Sequence, residues 1–165
     1  MASGKRQILW VDDEIDLLEP HILYLDDRGY AVTRATNGPD ALEMVKERSF
    51  DLVLLDEMMP VMDGLDVLKR IKALRAELPV VMVTKNEAEE LMEQAIGSQI
   101  DGYLTKPVNP SQILSVLKGI IDRKQIAAAQ LSRNWAEGVA ELSRLLEGDL
   151  DADGWFDLHT RICAW

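Results

Sequence analysis

The chain has 165 residues, of which 47% are hydrophobic, and a formal net charge of −11 at pH 7. This composition fits one ordinary domain, or one domain plus an appendage, and argues against a disordered chain. The negative charge argues against direct binding of a nucleic-acid backbone. No apolar run approaches the roughly 20 residues of a membrane-spanning helix, and the single cysteine, Cys163, excludes an internal disulfide, so we expect a cytoplasmic protein without membrane contact.

Short apolar runs alternate with amphipathic segments along most of the chain, which predicts strands alternating with helices. The predicted strands cover residues 7–11, 30–34, 52–55, 80–83 and 103–104. The predicted helices cover residues 14–28, 37–48, 65–74 and 87–98, and a fifth helix begins near residue 109. This alternation predicts an α/β fold with a parallel, doubly wound sheet, because the crossover helices cover both faces. The third and fourth strands are wholly apolar, as is typical of central strands.

Residues 124–165 depart from this alternation. Their first part lacks proline and places apolar side chains three or four residues apart, at Ala128, Leu131, Trp135, Leu142 and Leu145. This spacing predicts one amphipathic helix that continues the fifth helix or follows it. A single helix has no surface of its own on which to bury a tryptophan. Two interpretations stay open: the helix folds back onto its own domain, or it packs in a homodimer or a larger helical bundle.

Polar residues follow four of the predicted strands at the point where each strand ends. Asp12 and Asp13 end the first strand, Asp56 the third, Thr84 the fourth and Lys106 the fifth. With the strands in the order 2-1-3-4-5, these ends converge at one edge of the sheet. Three carboxylates in a small volume repel one another unless a cation lies among them, and Mg²⁺ prefers such oxygen ligands. A carboxylate nucleophile, a metal ion, a lysine and a hydroxyl together predict phosphoryl transfer.

Each of these residues also has a purely structural explanation. Asp12 and Asp13 could cap the first helix, Thr84 could cap the fourth, and Lys106 could be a solvated surface lysine. Asp56 is harder to explain in this way, because it follows four apolar residues and an uncompensated buried charge is costly. The occurrence of all of them in order at strand ends favours one common site.

These segments resemble, in order and spacing, the motifs of the bacterial response-regulator receiver domain. The matching segments are residues 11–14 (VDDE), residues 56–64 (DEMMPVMDG), Thr84 and residues 103–107 (YLTKP). The resemblance covers about residues 5–123 and implies a flavodoxin-like five-stranded parallel sheet in the order 2-1-3-4-5. It divides the chain into a receiver domain, residues 5–123, and a helical extension, residues 124–165.

The resemblance implies a phosphorylation-dependent switch. Asp56 accepts a phosphoryl group from a phosphohistidine on a sensor histidine kinase, and Lys106 with the hydroxyl of Thr84 holds the phosphoryl oxygens. Tyr103 then moves inward as Thr84 moves, which alters the face formed by the fourth helix, the fifth strand and the fifth helix. That face is a candidate homodimer surface. The bond between Lys106 and Pro107 is expected to be cis.

The same resemblance implies a Mg²⁺ cofactor. Its direct ligands are Asp13, Asp56 and the backbone carbonyl of Met58, and Asp12 acts through a water molecule. The metal site therefore shares its central carboxylate with the phosphorylation site.

Finer features resemble PorX-type regulators, which are linked to the type IX secretion system. The matching runs are residues 9–18, 95–98, 106–110 and 112–114. In that family a helical bundle and a large alkaline-phosphatase-like domain follow the receiver. The resemblance therefore implies that residues 124–165 begin such a bundle, or a dimerisation segment, and stop before an output domain.

Two other functions fit part of the pattern. A dehalogenase-like phosphatase also uses an aspartate nucleophile, but its two carboxylates after the first strand are two residues apart, whereas Asp12 and Asp13 are adjacent. A phosphorylation-independent interaction module needs none of the strand-end residues. We therefore expect a response regulator whose only chemistry is its own phosphoryl transfer and dephosphorylation. Lys85, where receivers usually carry a small residue, is predicted to modulate the lifetime of the phosphorylated state.

Overall fold

The computed structural model describes residues 4–85 and 100–147. By its internal contacts the chain separates into two compact units, which divide between Asp122 and Arg123. The predicted fourth helix, residues 87–98, and residues 148–165 of the predicted extension lie outside the described residues.

Five parallel strands form one sheet in the order β2-β1-β3-β4-β5, which confirms the predicted fold class. The strands are β1 (Arg6–Val11), β2 (Tyr30–Ala35), β3 (Leu52–Asp56), β4 (Val80–Thr84) and β5 (Gly102–Thr105). Every residue of β3 and β4 is buried, whereas β2 at the edge of the sheet has only its two end residues buried. The wholly apolar segments are therefore the central strands, as their composition predicted.

The helices cover both faces of this sheet. They are α1 (Glu19–Asp26), α2 (Gly38–Glu47), α3 (Gly64–Leu74) and one long helix (Pro110–Glu147), and a short 3₁₀ helix (Ile15–Leu18) precedes α1. The prediction of a single helix over residues 14–28 is therefore wrong at its start. Pro20 lies in the first turn of α1 and has no N–H to donate backwards, so the preceding turn forms the tighter 3₁₀ helix.

Successive residues of β1 point to opposite sides of the sheet and so into two separate apolar layers. Ile8 and Trp10 enter one layer, and Leu9 and Val11 enter the other. The first layer is completed by α1 and the long helix through Ile22, Leu25, Ile113, Leu117 and Ile121. The second is completed by α2 and α3 through Ala41, Val45, Val67, Leu68 and Ile71. Burial on both faces fixes the register of the strands and therefore the level at which each strand ends.

The amphipathic helix predicted after residue 123 continues the fifth helix without a break, so that one helix covers Pro110–Glu147. In this second part large apolar side chains are exposed: Leu131 to 62%, Trp135 to 68% and Val139 to 52%. None of the described helices is both long and apolar enough to cross a membrane.

Candidate functional site

The strand register brings the predicted polar residues to one level of the sheet. Val11 pairs with Leu55, so Asp12 and Asp56 are the next residues on neighbouring strands. Thr84 pairs with Thr105, and Lys106 follows directly on β5. Because parallel strands present their carboxyl ends at the same edge, residues that are far apart in sequence meet there.

Three carboxylates cluster at this edge. Carboxylate oxygens of Asp12, Asp13 and Asp56 all lie within 4.8 Å of one another. Asp12 and Asp56 are buried, and Asp13 is exposed. This arrangement of hard oxygen donors, with one ligand open to solvent, has the chemistry that a divalent cation such as Mg²⁺ requires.

Lys106 supplies a positive charge to this cluster. Its Nζ lies 2.9 Å from Oδ2 of Asp56 and 3.0 Å from Oδ2 of Asp12. The lysine side chain is 17% exposed, and those of Asp12 and Asp56 are 1% and 6% exposed. One ammonium is thus shared by two buried carboxylates, and an excess of negative charge remains in the cluster.

Asp12 makes two hydrogen bonds, one from the backbone of its own turn and one from Lys106. Its Oδ1 accepts a hydrogen bond from the backbone N–H of Glu14 at 2.8 Å, which holds the turn that leads into the 3₁₀ helix. Its Oδ2 accepts from Lys106 at 3.0 Å. The first hydrogen bond fixes the orientation of the carboxylate, so that the second oxygen faces the cluster.

Burial and the neighbouring charges shift the pKa values of two groups in the cluster. Burial raises the pKa of the Asp56 carboxyl above its ordinary value, and the charge of Asp12 adds to this, although the hydrogen bond from Lys106 opposes it. Burial lowers the pKa of Lys106, but the hydrogen bonds to Asp56 and Asp12 and their negative charges outweigh burial and leave this pKa raised. Burial is therefore the main cause of the raised pKa of Asp56, and the two carboxylates are the cause of the raised pKa of Lys106.

Thr84 belongs to the same edge but makes a different contact. It is completely buried, and its hydroxyl donates a hydrogen bond to the carboxylate of Glu57. Glu57 was not among the residues that the sequence singled out. The register offers the signal that finds it: Asp56 pairs with Val83, so Glu57 follows β3 at the level of Thr84 on β4.

The loop after β3 is held closely against the strand end. The backbone N–H of Glu57 donates to Val83 at 2.9 Å, and the N–H of Gly64 donates to the carbonyl of Glu57 at 2.9 Å. A Cβ at Gly64 would lie 2.2 Å from the carbonyl oxygen of Asp56, so only glycine permits this approach. The backbone N–H of Met58, the residue predicted to offer its carbonyl to the metal, lies 3.4 Å from Oδ1 of Asp56.

Two other predicted residues lie at the surface. Tyr103 on β5 is 50% exposed, which places its ring outside the core. Lys85, directly after β4, is also exposed. The bond between Lys106 and Pro107 is cis, as expected.

A cavity of about 170 Å³ adjoins the cluster between the 3₁₀ helix and the loop after β5. Asp12 and Lys106 form part of its lining, and His21 and Val108 lie on its wall. The Nε2 atom of His21 lies 2.9 Å from the carbonyl oxygen of Val108, which ties α1 to that loop. A small group can therefore approach the cluster from this side.

Comparison with known proteins now identifies the family. Residues 8–118 match the family model described as the response regulator receiver domain. This chain belongs to the response regulator receiver family. Receivers are signal-transducing domains of two-component systems.

The relatives of this receiver include longer regulators. It is 31% identical over 149 residues to the alkaline phosphatase synthesis transcriptional regulatory protein PhoP of Bacillus subtilis, an alignment that covers 88% of this chain and 59% of PhoP. It is 31% identical over 146 residues to the transcriptional regulatory protein SrrA of Staphylococcus aureus, covering 88% of this chain and 60% of SrrA. The chain thus spans about 60% of the length of these relatives.

Solved structures agree with the fold. A CheY-like receiver domain protein from Methanospirillum hungatei has a TM-score of 0.68 and 29% sequence identity, and the match covers 75% of this chain and 99% of that protein. A receiver domain protein from Clostridium thermocellum has a TM-score of 0.67 and 27% identity, covering 74% of this chain and 98% of that protein. Each of these solved chains is therefore matched over nearly its whole length.

Proposed function

We propose that this receiver is switched by phosphorylation of Asp56, with a sensor histidine kinase as the phosphoryl donor. The observation that carries this proposal is the position of Asp56: a buried carboxylate at a strand end, 2.9 Å from the Lys106 ammonium and clustered with two further carboxylates. A buried carboxylate with a purely structural role does not require further carboxylates around it. A phosphoacceptor does require them, because the neighbouring carboxylates bind the cation that neutralises the phosphoryl group.

In the proposed reaction, a carboxylate oxygen of Asp56 attacks the phosphorus of a phosphohistidine. The new P–O bond forms as the P–N bond breaks, and the electron pair of that bond returns to the imidazole nitrogen. Lys106 holds its ammonium against Asp56 at 2.9 Å, where it offsets charge on the attacking carboxylate and on the phosphoryl oxygens. The product is an acyl phosphate on Asp56.

The donor set also fits Mg²⁺. Asp13 and Asp56 are the proposed direct ligands together with the backbone carbonyl of Met58, and Asp12 is proposed to act through water. Three carboxylates and one lysine leave a formal charge of 1 − 3 = −2 in the cluster, which matches a divalent ion. When bound, the ion supplies charge neutralisation for the phosphoryl oxygens.

The switch itself is proposed to involve Thr84 and Tyr103. The Thr84 hydroxyl turns to a phosphoryl oxygen, and the half-exposed Tyr103 ring moves into the space that this change opens. The altered surface is proposed to include β5 and the start of the long helix, together with the predicted fourth helix, whose residues 87–98 lie outside the described part of the chain. We propose that this face carries the signal to a partner or to a second copy of the chain.

The phosphorylation proposal is tested with Mg²⁺ and a small phosphodonor such as acetyl phosphate, with intact mass as the readout. We expect one phosphoryl adduct, which Asp56→Asn abolishes and which requires Mg²⁺. Asp66→Asn, at an exposed aspartate on α3, is the matched control and should keep the adduct. Continuous hydrolysis of a phosphoester would instead favour the aspartate phosphatase, and partner binding without any adduct would favour an interaction module.

For the regulator as a whole, we propose the PorX-type organisation, in which residues 5–123 are the receiver and residues 124–165 begin a helical extension that leads to an output domain. Support comes from the exposed apolar face on the second part of the long helix, which includes Leu131, Trp135 and Val139. Solvent-exposed apolar side chains at this spacing are typical of a helix that packs against another helix.

We propose that this helix face pairs with a second copy of the chain. Trp135→Glu should convert a dimer to a monomer in sedimentation velocity. The control is Ile126→Glu: Ile126 is comparably exposed, at 59% against 68% for Trp135, but lies nine residues earlier and hence on the opposite side of the helix. A wild-type protein that sediments as a monomer at high concentration, with and without beryllofluoride, would contradict the dimer.

A further inference from the structure

Glu57 is the acceptor for the hydroxyl of Thr84, and the proposed function gives it no role. Thr84 is completely buried, and Glu57 is partly buried. Their hydrogen bond joins the ends of the two central strands, directly beside Asp56. A hydrogen bond from a hydroxyl to an ionised carboxylate is about twice as strong as one between neutral groups.

The backbone presents the Glu57 side chain in a fixed position. Its N–H donates to the carbonyl of Val83 at 2.9 Å, and its own carbonyl accepts from Gly64 at 2.9 Å. The residue is therefore tied to β4 on one side and to the first residue of α3 on the other. Because its backbone is anchored at both ends, the Glu57 carboxylate is held within hydrogen-bond distance of the Thr84 hydroxyl.

We propose that Glu57 is a positioning residue that holds the Thr84 hydroxyl in the unphosphorylated state and thereby sets how readily the phosphorylated state forms. This inference rests on the proposed role of Asp56 as phosphoacceptor. A threonine hydroxyl carries a single proton and donates one full hydrogen bond. It can donate that bond to Glu57 or to a phosphoryl oxygen, so each acceptor works against the other.

The competition biases a two-state domain. The free energy of the Thr84–Glu57 hydrogen bond is present only in the unphosphorylated arrangement, so it lowers the fraction of the switched state. Removal of the Glu57 carboxylate takes away this competing acceptor and favours occupation of the site by a phosphoryl group or its analogue. The unphosphorylated state is therefore stabilised by a contact of its own, the hydrogen bond between Thr84 and Glu57.

A second effect of the carboxylate has to be separated from this one. Glu57 also repels an anion at Asp56 through its negative charge, whether or not Thr84 is present. Only the hydrogen bond depends on the Thr84 hydroxyl. A double-mutant cycle between Glu57→Ala and Thr84→Val therefore isolates the positioning effect, because valine keeps the shape of threonine without its hydroxyl.

The experiment measures the affinity of beryllofluoride in the presence of Mg²⁺ by isothermal titration calorimetry on the full chain. In the wild-type background we expect Glu57→Ala to tighten binding about tenfold, the factor that corresponds to about 1.4 kcal/mol. Glu57→Gln, which keeps an amide oxygen as acceptor, should tighten binding less. In the Thr84→Val background we expect less than about a twofold change from Glu57→Ala, the remainder being simple charge repulsion. Glu47→Gln, at an exposed glutamate at the end of α2, controls for the loss of one negative charge.

The outcomes separate the inference from the function on which it rests. Equal effects of Glu57→Ala in both backgrounds, or no effect in either, would overturn the positioning role while Asp56 remains the acceptor. If the folded wild-type protein binds no beryllofluoride with Mg²⁺ present, the proposed function fails and the inference fails with it. Should Glu57→Ala not fold, the comparison of Glu57→Gln in the two Thr84 backgrounds decides the same question.

Discussion

The two sides of the Asp56 site differ in how nearly they are assembled. On one side, the Lys106 ammonium already lies 2.9 Å from Asp56 and 3.0 Å from Asp12. On the other side, the Thr84 hydroxyl is bonded to Glu57. Thr84 ends β4 and pairs with Thr105, the residue before Lys106, so the two groups start from adjacent levels of neighbouring strands. The lysine is drawn to the site by its carboxylates, whereas a competing carboxylate draws the threonine away.

The largest expected effect is that of Gly64→Ala, because the added Cβ would displace the backbone of both Asp56 and Glu57. The added Cβ would meet the Asp56 carbonyl oxygen at 2.2 Å and the Glu57 Cα at 2.8 Å, and neither backbone atom can rotate away. We expect a loss of about 4 kcal/mol in the free energy of urea unfolding, near the upper end for point mutations. Gly119→Ala is the control, since no atom lies within 4 Å of its added Cβ. That variant should be neutral or slightly stabilising, and equal losses in both would contradict the close approach at Gly64.

Lys106→Met removes the cation from the assembled side alone. Asp12 and Asp56 would remain buried without their shared ammonium, and we expect a loss of about 3 kcal/mol in unfolding free energy, measured in EDTA. Added Mg²⁺ should return part of it, because an ion bound only by the folded state stabilises that state. Lys46→Met breaks an exposed pair with Glu43 and should change stability by less than about 0.5 kcal/mol. A similar small change for Lys106→Met would mean that the assembled side contributes little.

Asp56→Asn should make the metal-free protein more stable at neutral pH. The pKa of Asp56 is raised by burial, so between its unfolded value and its folded value the native state binds more protons than the unfolded state. Wild-type stability therefore falls as pH rises through this window, and the ionised carboxylate is a cost above it. The amide has no such cost. Thermal unfolding in EDTA across this range should show the advantage of Asp56→Asn shrink as the pH is lowered, and a constant advantage would contradict the direction of the shift.

The smallest expected effect is that of Glu57→Gln on stability. The amide can still accept from Thr84, and the side chain is only partly buried, so unfolding free energy should change by less than about 0.5 kcal/mol. This variant sharpens the comparison, because its effect should appear in the occupation of the Asp56 site and not in the fold. A large loss of stability would instead make Glu57 part of the structural support of the strand ends.

The strand ends were predictable for a simple reason. Apolar runs such as residues 52–55 and 80–83 must be buried, and the first polar residue after each run marks where the strand leaves the core. The first helix is less predictable: its apolar periodicity indicates the buried face, but Pro20 breaks the hydrogen-bond pattern of its first turn. Periodicity reports which face is buried, and it does not report which backbone hydrogen bonds are made.

The contact of Glu57 with Thr84 could not be predicted from the sequence. It is adjacent to Asp56 in sequence, yet its importance lies in Thr84, which is 27 residues away and becomes its neighbour only when β3 pairs with β4. The exposed face of the long helix is a similar case. Its 3–4 spacing predicted the helix, but Trp135 has the same spacing whether it is covered or exposed, and in the helix it is 68% exposed.

The amino-acid sequence determined the order of the strands' polar ends and the burial of the central strands, because both follow from local hydrophobicity and the alternation of helices and strands. Tertiary structure alone decided which acceptor each of those ends meets. Lys106 has two carboxylates within 3.0 Å, and the Thr84 hydroxyl donates to a different carboxylate, that of Glu57. Such choices depend on distances of a few ångströms between separate strands, and only the register of the folded sheet fixes them.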